Sequence, residues 1–545
     1  MKRLCLPRLA WWPWLLGATI LGGFVPVYAL ASDHPALTPA SRAYVAGMAA
    51  LAVWVGRWAL RPQQMAWPRW PARRAERMLA LLLVAYAIAG IALSAYRWRI
   101  LTLGNVDSAI IIQSLRYTLD EGRLLFNTLE KASHLGVHNS PIYLLLVPLY
   151  ALWRDPAPWL IVLPPVAIAL SGWPFFALTR CRIGDAPALA LTAAYLLAPY
   201  VVARTVGDLY EMTLLPALLL TALYHYDRQR FWPFVAFAAL SLLVKESIAA
   251  TILMLGVYGW ISKRRGPWVL GPMLLAVASL ALSYGVVFPL WGEGVSSRAA
   301  ALLGPLGASP AEVLRQAVTD PVALARQILT PSRLGLIYQF FQPLLFVLPL
   351  LSAEVVLALP ALGLSLLAQG GSVGLRAWES AILGPLLYAA AATGIAWLAA
   401  WLARRADGPD RAGLRLFLSL GLFFATLACA PYWARRDDYA PKPYVAAQRQ
   451  AIALIPPEAS LSAPDYMLAR FADRPALQLQ TGAPFWAEYH LVDLNWIEAV
   501  RGHRVPEPAA QDYEALIRQA EGAELSAPWQ LIWSGEGLYV LRRKE

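Results

Sequence analysis

Long unbroken apolar runs between residues 11 and 431 constrain the fold of this chain more than any other feature. A backbone that crosses lipid must satisfy its hydrogen bonds internally, so only helices and closed barrels can span a membrane. Barrel strands are short and alternate in polarity, whereas these runs have the length of helices. The charged fraction, 15%, is also low for a soluble protein. The sequence therefore predicts a polytopic all-α membrane protein.

The apolar runs indicate about thirteen transmembrane helices. An uncleaved first helix is favoured over a signal peptide, because its apolar part is long and no small-x-small cleavage site follows. The predicted spans lie at about 11–31, 43–60, 78–97, 159–179, 186–202, 213–226, 231–246, 247–262, 267–291, 336–352, 354–368, 380–403 and 412–431.

Basic residues between the spans predict the orientation. With a cytoplasmic N-terminus, nearly every dense Lys/Arg cluster falls on the cytoplasmic side, as the positive-inside rule requires. The same rule explains the net charge of +12 without nucleic acid as a partner. We therefore predict a multi-pass protein of a bacterial-type cytoplasmic (inner) membrane, in contact with membrane lipids, with outer loops at 97–158 and 292–335.

Three regions follow from this topology. Residues 1–77 form two N-terminal transmembrane helices and a basic cytoplasmic loop, and residues 78–431 form the transmembrane core. Residues 432–545 carry charges, prolines and short alternating runs, which predict a small soluble α/β domain on the extracytoplasmic side. The short apolar run at 142–153 is interpreted as an interfacial or re-entrant helix in the first outer loop.

Asp107 is the leading candidate for chemistry, since it lies just beyond the outer end of the third predicted span. There a carboxylate could act as general base toward an acceptor hydroxyl, or help hold a divalent cation such as Mg²⁺ or Mn²⁺. The alternative is structural: Asp107 precedes an apolar helical start, and Asp is a favoured helix N-cap.

His134 and His138 are spaced as two metal ligands on one helical face would be, but Gly136 and the following Asn-Ser-Pro argue against a regular helix. Polar contacts to a phosphate or sugar are favoured over a metal site. An inert loop remains an alternative.

Two further outer segments carry charge. Asp208 and Glu211, with Arg204 just before them, could bind substrate or metal, or could form a solvated turn. Lys245 and Glu246 interrupt an otherwise apolar stretch, where ionisable residues are costly and often functional. Lys245 could hold an anionic phosphate with Glu246 as its structural partner, and a structural hinge is the alternative.

Several of these segments together resemble the DUF2079 family of predicted membrane proteins, over residues from about 78 to 400. The most specific parts are Ser133-His134-Leu135-Gly136-Val137-His138-Asn139-Ser140-Pro141 and Leu243-Val244-Lys245-Glu246-Ser247. That family is similar to the GT-C superfamily of integral-membrane glycosyltransferases, which use polyprenyl-phosphate sugar donors. The resemblance implies a GT-C-like fold and places Asp107 at the position of the catalytic acid in the first outer loop.

The resemblance also shows two departures. The family usually has His where this chain has Glu211, and a His-Tyr pair where it has Trp378-Glu379.

The leading hypothesis is a membrane glycosyltransferase that transfers a sugar from a lipid-linked donor to an extracytoplasmic acceptor in the cell envelope. Asp107 would be its base or its metal-binding acid. The alternative is a non-enzymatic transporter or scaffold for a lipid or cell-envelope polymer.

Overall fold

The computed structural model describes residues 72–292, 310–367, 379–405, 411–429, 436–480, 485–502, 505–522 and 528–544. The first two predicted spans lie outside the described residues. So do residues 293–309 of the second predicted outer loop.

Four helices of the described residues are long and apolar enough to cross a membrane: Arg73–Arg99, Pro156–Ile183, Pro267–Trp291 and Ser380–Arg404. The pair Asp185–Leu196 and Pro199–Thr205, bent by 63°, makes a fifth candidate. The prediction of thirteen full-length spans is therefore not confirmed, because in the described part of the chain several apolar runs fold as shorter helices.

The helices of the core follow in chain order. They are α1 (Ala72–Arg99), α2 (Val106–Glu121), α3 (Val147–Leu152), α4 (Pro156–Ile161), α5 (Leu163–Ile183), α6 (Asp185–Leu196), α7 (Pro199–Thr205), α8 (Leu215–Asp227), α9 (Phe231–Leu242), α10 (Ile248–Ile261), α11 (Pro267–Leu282), α12 (Phe288–Trp291), α13 (Pro310–Thr319), α14 (Pro321–Ile328), α15 (Pro331–Phe341), α16 (Val347–Leu350), α17 (Leu359–Leu367), α18 (Ser380–Arg405) and α19 (Arg411–Ala428).

The predicted span at 336–352 shows why a run of apolar residues need not be one helix. Helix α15 ends at Phe341, and Leu345 and Phe346 adopt φ of 53° and 55° before α16 begins. Positive φ is unfavourable for residues with a side chain and breaks a helix. Gly394 of α18 packs so closely on the Leu348 carbonyl that a Cβ there would overlap it. The broken segment is therefore held in place by packing against α18.

A buried polar network ties helix ends together at one end of the bundle. Arg182 donates to Glu354 at 2.7 Å, to Thr393 at 2.9 Å and to Asp227 at 3.3 Å. Arg264 donates to the other oxygen of Asp227 at 3.1 Å. Arg182, Asp227 and Arg264 belong to loops that the sequence predicts on the cytoplasmic side.

Helix α8 runs from this network toward a second polar cluster that contains Glu211 and Lys245. Its 13 residues correspond to a rise of about 20 Å. Helix α10 spans a similar depth with 14 residues. The short core helices thus separate two polar layers, and the second layer is the candidate site.

Residues 97–158, the predicted first outer loop, consist largely of regular secondary structure. They contain α2, a two-stranded antiparallel hairpin, and α3 at the predicted interfacial run. The hairpin strands are β1 (Phe126–Asn127) and β2 (Ala132–Ser133). The helices and the hairpin thereby fix the positions of the loop residues between them at this end of the helix bundle.

The C-terminal region forms a five-stranded mixed sheet, whose strands are β3 (Leu461–Ala463), β4 (Leu477–Leu479), β5 (Tyr489–Asp493), β6 (Trp529–Gly535) and β7 (Leu538–Arg543). The strand order is β4-β3-β5-β7-β6, with β3 parallel to β4 and β5 and the other pairs antiparallel. Strand-like runs in the sequence at 476–479, 489–494, 529–533 and 537–541 all fall on strands of this sheet, whereas the short buried strand β3 was not predicted. The helices of this region are α20 (Arg436–Tyr439), α21 (Val445–Ala453), α22 (Asp465–Leu468), α23 (Leu494–Val500) and α24 (Glu507–Glu521).

This sheet region is docked on the outer loop by specific contacts. The Tyr117 hydroxyl donates to the Pro475 carbonyl at 2.5 Å, and the Tyr150 hydroxyl donates to the Asp473 carboxylate at 2.5 Å. The Arg470 guanidinium lies 3.7 Å from the centroid of the Trp98 ring. The C-terminal region therefore covers α2 and the end of α1.

Candidate functional site

Asp107 lies in the first turn of α2, and it is not the helix cap. Asn105 takes that role, because its side-chain oxygen accepts a hydrogen bond from the Ser108 amide at 2.9 Å. The N-cap alternative for Asp107 is therefore wrong. The residue is partly buried, with the Asn105 amide nitrogen 3.4 Å from one carboxylate oxygen. A carboxylate without a capping role is free to act on a bound molecule.

The surroundings of Asp107 raise the pKa of its carboxyl to about 7. Burial is the largest cause, followed by the negative charges of Glu211, Asp465 and Asp208, while Lys245 acts in the opposite direction. Both protonation states are then populated near neutral pH, which suits a group that accepts a proton during a reaction.

Lys245 forms a buried ion pair with Glu211. The lysine nitrogen lies 2.8 Å from a Glu211 oxygen, and the Tyr143 hydroxyl donates to the other oxygen at 3.0 Å. Both charged side chains are at least nine-tenths buried. Burial opposes ionisation of Glu211, but Lys245 and the nearby histidines outweigh it and hold the pKa of this carboxyl below its usual value. The sequence suggested Glu246 as the partner of Lys245; the hydrogen bond of the lysine goes to Glu211, and the charge of Glu246 also acts on it.

Glu246 binds the histidine loop instead. One of its oxygens lies 3.2 Å from His138 Nδ1, and the other accepts the Asn139 amide at 3.0 Å. The Asn139 side chain in turn donates to Ser283 at 2.7 Å, in the π-helical turn Ser283–Val287 that follows α11. Glu246 thus orients His138 and connects the first outer loop to α11.

His134 begins a short 3₁₀ turn, so the two histidines do not share a helical face. Their ring centroids are 5.8 Å apart, at an interplanar angle of 70°. His134 Nδ1 lies 3.0 Å from Glu130, and its Nε2 has no hydrogen-bond partner among the described residues. Burial opposes protonation of His134, yet the Glu130 carboxylate outweighs it and raises the pKa.

Asp208 and Arg204 occupy the neighbouring segment. Asp208 accepts the Gly104 amide at 2.9 Å, which fixes the turn before α2. The Arg204 guanidinium lies 4.9 Å from the centroid of the Tyr210 ring, and the side chain is buried. The Ser108 hydroxyl donates to the Leu209 carbonyl at 3.0 Å, which joins the two loops directly. The solvated-turn alternative therefore does not describe this segment.

Four residues near this site escaped the sequence-based selection: Glu130, Tyr143, Glu379 and Asp465. Glu379, at the start of α18, interacts electrostatically with Lys245 and Arg204. The sequence signal for Glu379 was that it stands at one of the two positions where this chain differs from the usual family pattern. Asp465 had no signal, because it lies in the C-terminal region and reaches the site only through folding.

A divalent cation was an expectation of the sequence. Among the described residues, no group of three or more His, Cys, Asp or Glu side chains is arranged to hold a metal ion. The divalent cation therefore stays a prediction from the sequence.

Gly136 allows the histidine loop to approach the end of α12. A Cβ at this position would overlap the carbonyl of Trp291 and lie 2.9 Å from Gly292 Cα. We expect Gly136→Ala to destabilise the protein by about 1–3 kcal/mol, as overpacking does, and to displace His134 and His138. Thermal unfolding in detergent measures this effect.

Gly421 in α19 is the matched control, since a Cβ there would meet nothing within 4 Å. Gly421→Ala is expected to leave stability unchanged or to raise it by up to about 1 kcal/mol, because Ala favours a helix over Gly. Equal stability of the two variants would contradict the close packing at Gly136.

The long apolar helices define a multi-pass helical membrane protein, and its candidate site, a buried polar cluster, lies beside the C-terminal sheet region. Within that class the chain belongs to the DUF2079 family, described as predicted membrane proteins, whose profile matches residues 97–521. The resemblance seen in the sequence is thereby confirmed, and the match extends into the C-terminal region.

Two solved structures are similar to this chain. The crystal structure of ArnT from Cupriavidus metallidurans bound to undecaprenyl phosphate is 13% identical, with a TM-score of 0.45, and the alignment covers 85% of this chain and 97% of that one. The apo structure of the same protein is 12% identical, with a TM-score of 0.43, over 84% and 98% of the respective chains. No curated protein matches the chain.

Proposed function

We propose that this protein is a GT-C-type glycosyltransferase that moves a sugar from a polyprenyl-phosphate donor to an acceptor hydroxyl on the extracytoplasmic face of the membrane. One observation supports this most strongly: the Asp107 carboxyl, with a pKa of about 7, shares one polar cluster with the buried cation Lys245. A base for the acceptor and a cation for the leaving phosphate are the two groups this transfer needs.

In the proposed reaction, Asp107 accepts the proton of the acceptor hydroxyl as its oxygen attacks the anomeric carbon of the sugar. The bond between that carbon and the donor phosphate oxygen breaks, and polyprenyl phosphate leaves with the electron pair. Lys245 and Arg204 stabilise the negative charge that develops on the phosphate, because a fixed cation in a dry site acts strongly on developing charge.

The other members of the cluster orient these groups. Glu211 and Tyr143 hold the Lys245 ammonium in one position. We expect His138, aligned by Glu246, and His134, aligned by Glu130, to contact the sugar or the phosphate. Asp208 acts indirectly, by holding the Gly104 turn that precedes Asp107.

The proposed orientation predicts opposite labelling of two engineered cysteines. In a background with Cys5, Cys181 and Cys429 replaced by Ser, Arg230→Cys marks the predicted cytoplasmic side and Gln530→Cys marks β6; both positions are exposed. In spheroplasts, a membrane-impermeant maleimide is expected to label the cysteine at 530 and to reach the cysteine at 230 only after permeabilisation. The reverse pattern would put the site on the cytoplasmic face and overturn the proposed location.

The function itself is tested with purified full-length protein in nanodiscs and a panel of polyprenyl-phosphate-linked pentoses, hexoses and amino sugars. Release of polyprenyl phosphate, followed by mass spectrometry, is expected from at least one donor with the wild type and not with Asp107→Asn. If neither protein consumes any donor, the glycosyltransferase proposal fails, and assays of lipid or polymer movement in vesicles become the appropriate test.

A further inference from the structure

The C-terminal sheet region contributes a carboxylate to the immediate surroundings of Asp107. Asp465, the first residue of α22, accepts a hydrogen bond from the Val106 amide at 2.7 Å. Val106 is the first residue of α2 and the chain neighbour of Asp107. A residue 359 positions away in sequence therefore holds the backbone from which the Asp107 side chain projects.

Close packing keeps Asp465 in place. Gly104, at φ 128°, lies so near the C-terminal region that a Cβ there would be 3.1 Å from Ala469 Cβ and 3.3 Å from the Tyr466 carbonyl oxygen. The Tyr466 hydroxyl donates to the buried Asp493 of β5, and it also accepts from Gln448 at 2.6 Å. Helix α22 is thereby tied to the sheet on one side and to the turn before α2 on the other.

The charged groups that face Asp107 come from three segments. Asp208 and Glu211 approach from the loop after α7, Lys245 from the turn before α10, and Asp465 from the C-terminal region. The hydroxyl of Tyr143 completes this set, through its hydrogen bond to Glu211. Asp208 and Asp465 each bind a backbone amide of the 104–106 turn, so the base is held between two flanking carboxylates.

We propose that the C-terminal region is a structural part of the site and that Asp465 is a positioning residue for Asp107. Its carboxylate anchors the first turn of α2, and so sets where the Asp107 carboxylate lies relative to Lys245. This inference rests on the proposed function of Asp107 as the base. It assigns to the sheet region a role in the reaction instead of display to a partner.

Asp473 provides a matched comparison. It also belongs to the C-terminal region and also docks on the outer loop, through the Tyr150 hydroxyl and an ion pair with Arg116 at 4.0 Å. It is not among the charges that shift the pKa of Asp107. If the C-terminal region only had to stay docked, substitution of either aspartate should reduce activity alike. If Asp465 positions Asp107, only substitution of Asp465 should do so.

Three substitutions separate the hydrogen bond from the charge. Asp465→Ala removes both and is expected to lower kcat by about 10²-fold, as misplacement of a reacting group does, with the KM for the donor nearly unchanged. Asp465→Asn keeps an acceptor oxygen but removes the charge. It is expected to retain most of kcat and to move the acidic limb of the pH profile to lower pH by about one unit. Asp465→Glu should restore much of the activity.

Titration of Asp107 itself supplies a readout that does not need turnover. Infrared difference spectra between each protein and its Asp107→Asn counterpart isolate the carboxylic acid band of Asp107. We expect Asp465→Asn to shift the midpoint of that band downward and Asp473→Asn to leave it in place, with all proteins monodisperse and similarly stable.

The outcomes are distinguishable. An unchanged midpoint in Asp465→Asn, together with kcat within twofold of wild type in Asp465→Ala, would overturn the positioning role. Equal loss of activity in Asp465→Ala and Asp473→Ala would also overturn it, in favour of simple docking. If the midpoint shifts as stated but the wild type transfers no sugar from any donor, the proposed function fails and the positioning of Asp107 stands.

Discussion

Asp107→Asn is expected to lower kcat/KM for sugar transfer by about 10³-fold, within the range that general-base catalysis contributes. The substitution keeps the size of the side chain and removes its capacity to accept a proton. It leaves Asn105 as the cap of α2, so folding should be unaffected. Steady-state kinetics at a pH above the pKa of the wild-type carboxyl measure the loss.

The role of Asp107 as a base also predicts how the rate of sugar transfer by the wild type depends on pH. The pKa of Asp107 is raised to about 7, and only the ionised carboxylate is a base. Activity should therefore rise as pH increases through about 7 and fall away below it. The residual activity of Asp107→Asn should lack this limb.

Asp120 is the control on the same helix. It lies near the far end of α2, where it forms an exposed ion pair with Arg154 at 2.7 Å. Asp120→Asn should keep wild-type kinetics, because exposed ion pairs contribute little. If Asp107→Asn and Asp120→Asn both retained activity within threefold of wild type, Asp107 would have no part in the chemistry.

Lys245→Met is expected to be the most destabilising single change at the site. It would leave the Glu211 carboxylate buried without its cation, and removal of one partner of a buried pair costs about 3–5 kcal/mol. The measurement is the midpoint of thermal or denaturant unfolding in detergent. Arg154→Met, which breaks the exposed pair with Asp120, is the control and should cost less than about 1 kcal/mol.

The double variant Lys245→Met with Glu211→Gln separates stability from function. It removes both charges and retains an amide that can accept from Tyr143, so most of the lost stability should return. Sugar transfer should remain absent, because the cation proposed to stabilise the leaving phosphate is gone. Recovery of activity in the stable double variant would show that the Lys245–Glu211 pair has only a structural role.

The same pair makes stability depend on pH in a defined direction. The pKa of Glu211 in the folded protein lies below its ordinary value of 4.5. The pair therefore stabilises the fold fully above that value, and its contribution is lost as pH falls through the lower, folded-state pKa. The double variant should lack this acid-dependent part of the stability.

Local patterns in the sequence determined a large part of this protein. Apolar runs of helical length predict a multi-pass membrane protein, since the requirement to satisfy backbone groups in lipid applies segment by segment. The change in composition after residue 431 predicts the sheet region. Asp107 and Lys245 stand out because ionisable groups beside or within apolar runs are costly. The histidine loop and the Lys-Glu motif were sufficient to indicate the family.

Tertiary structure decided which of these residues act together. Lys245 forms a hydrogen bond with Glu211 at a separation of 34 residues, whereas the adjacent Glu246 binds His138 and Asn139 of another loop. Asp465 reaches the first turn of α2 only through docking of the sheet region. Hydropathy and residue spacing indicate which secondary structure and which environment suit a single segment. Contacts between side chains of distant segments depend instead on how the segments pack, and no single segment determines that. For the same reason the apolar run at 336–352 breaks after α15, and α16 packs against α18.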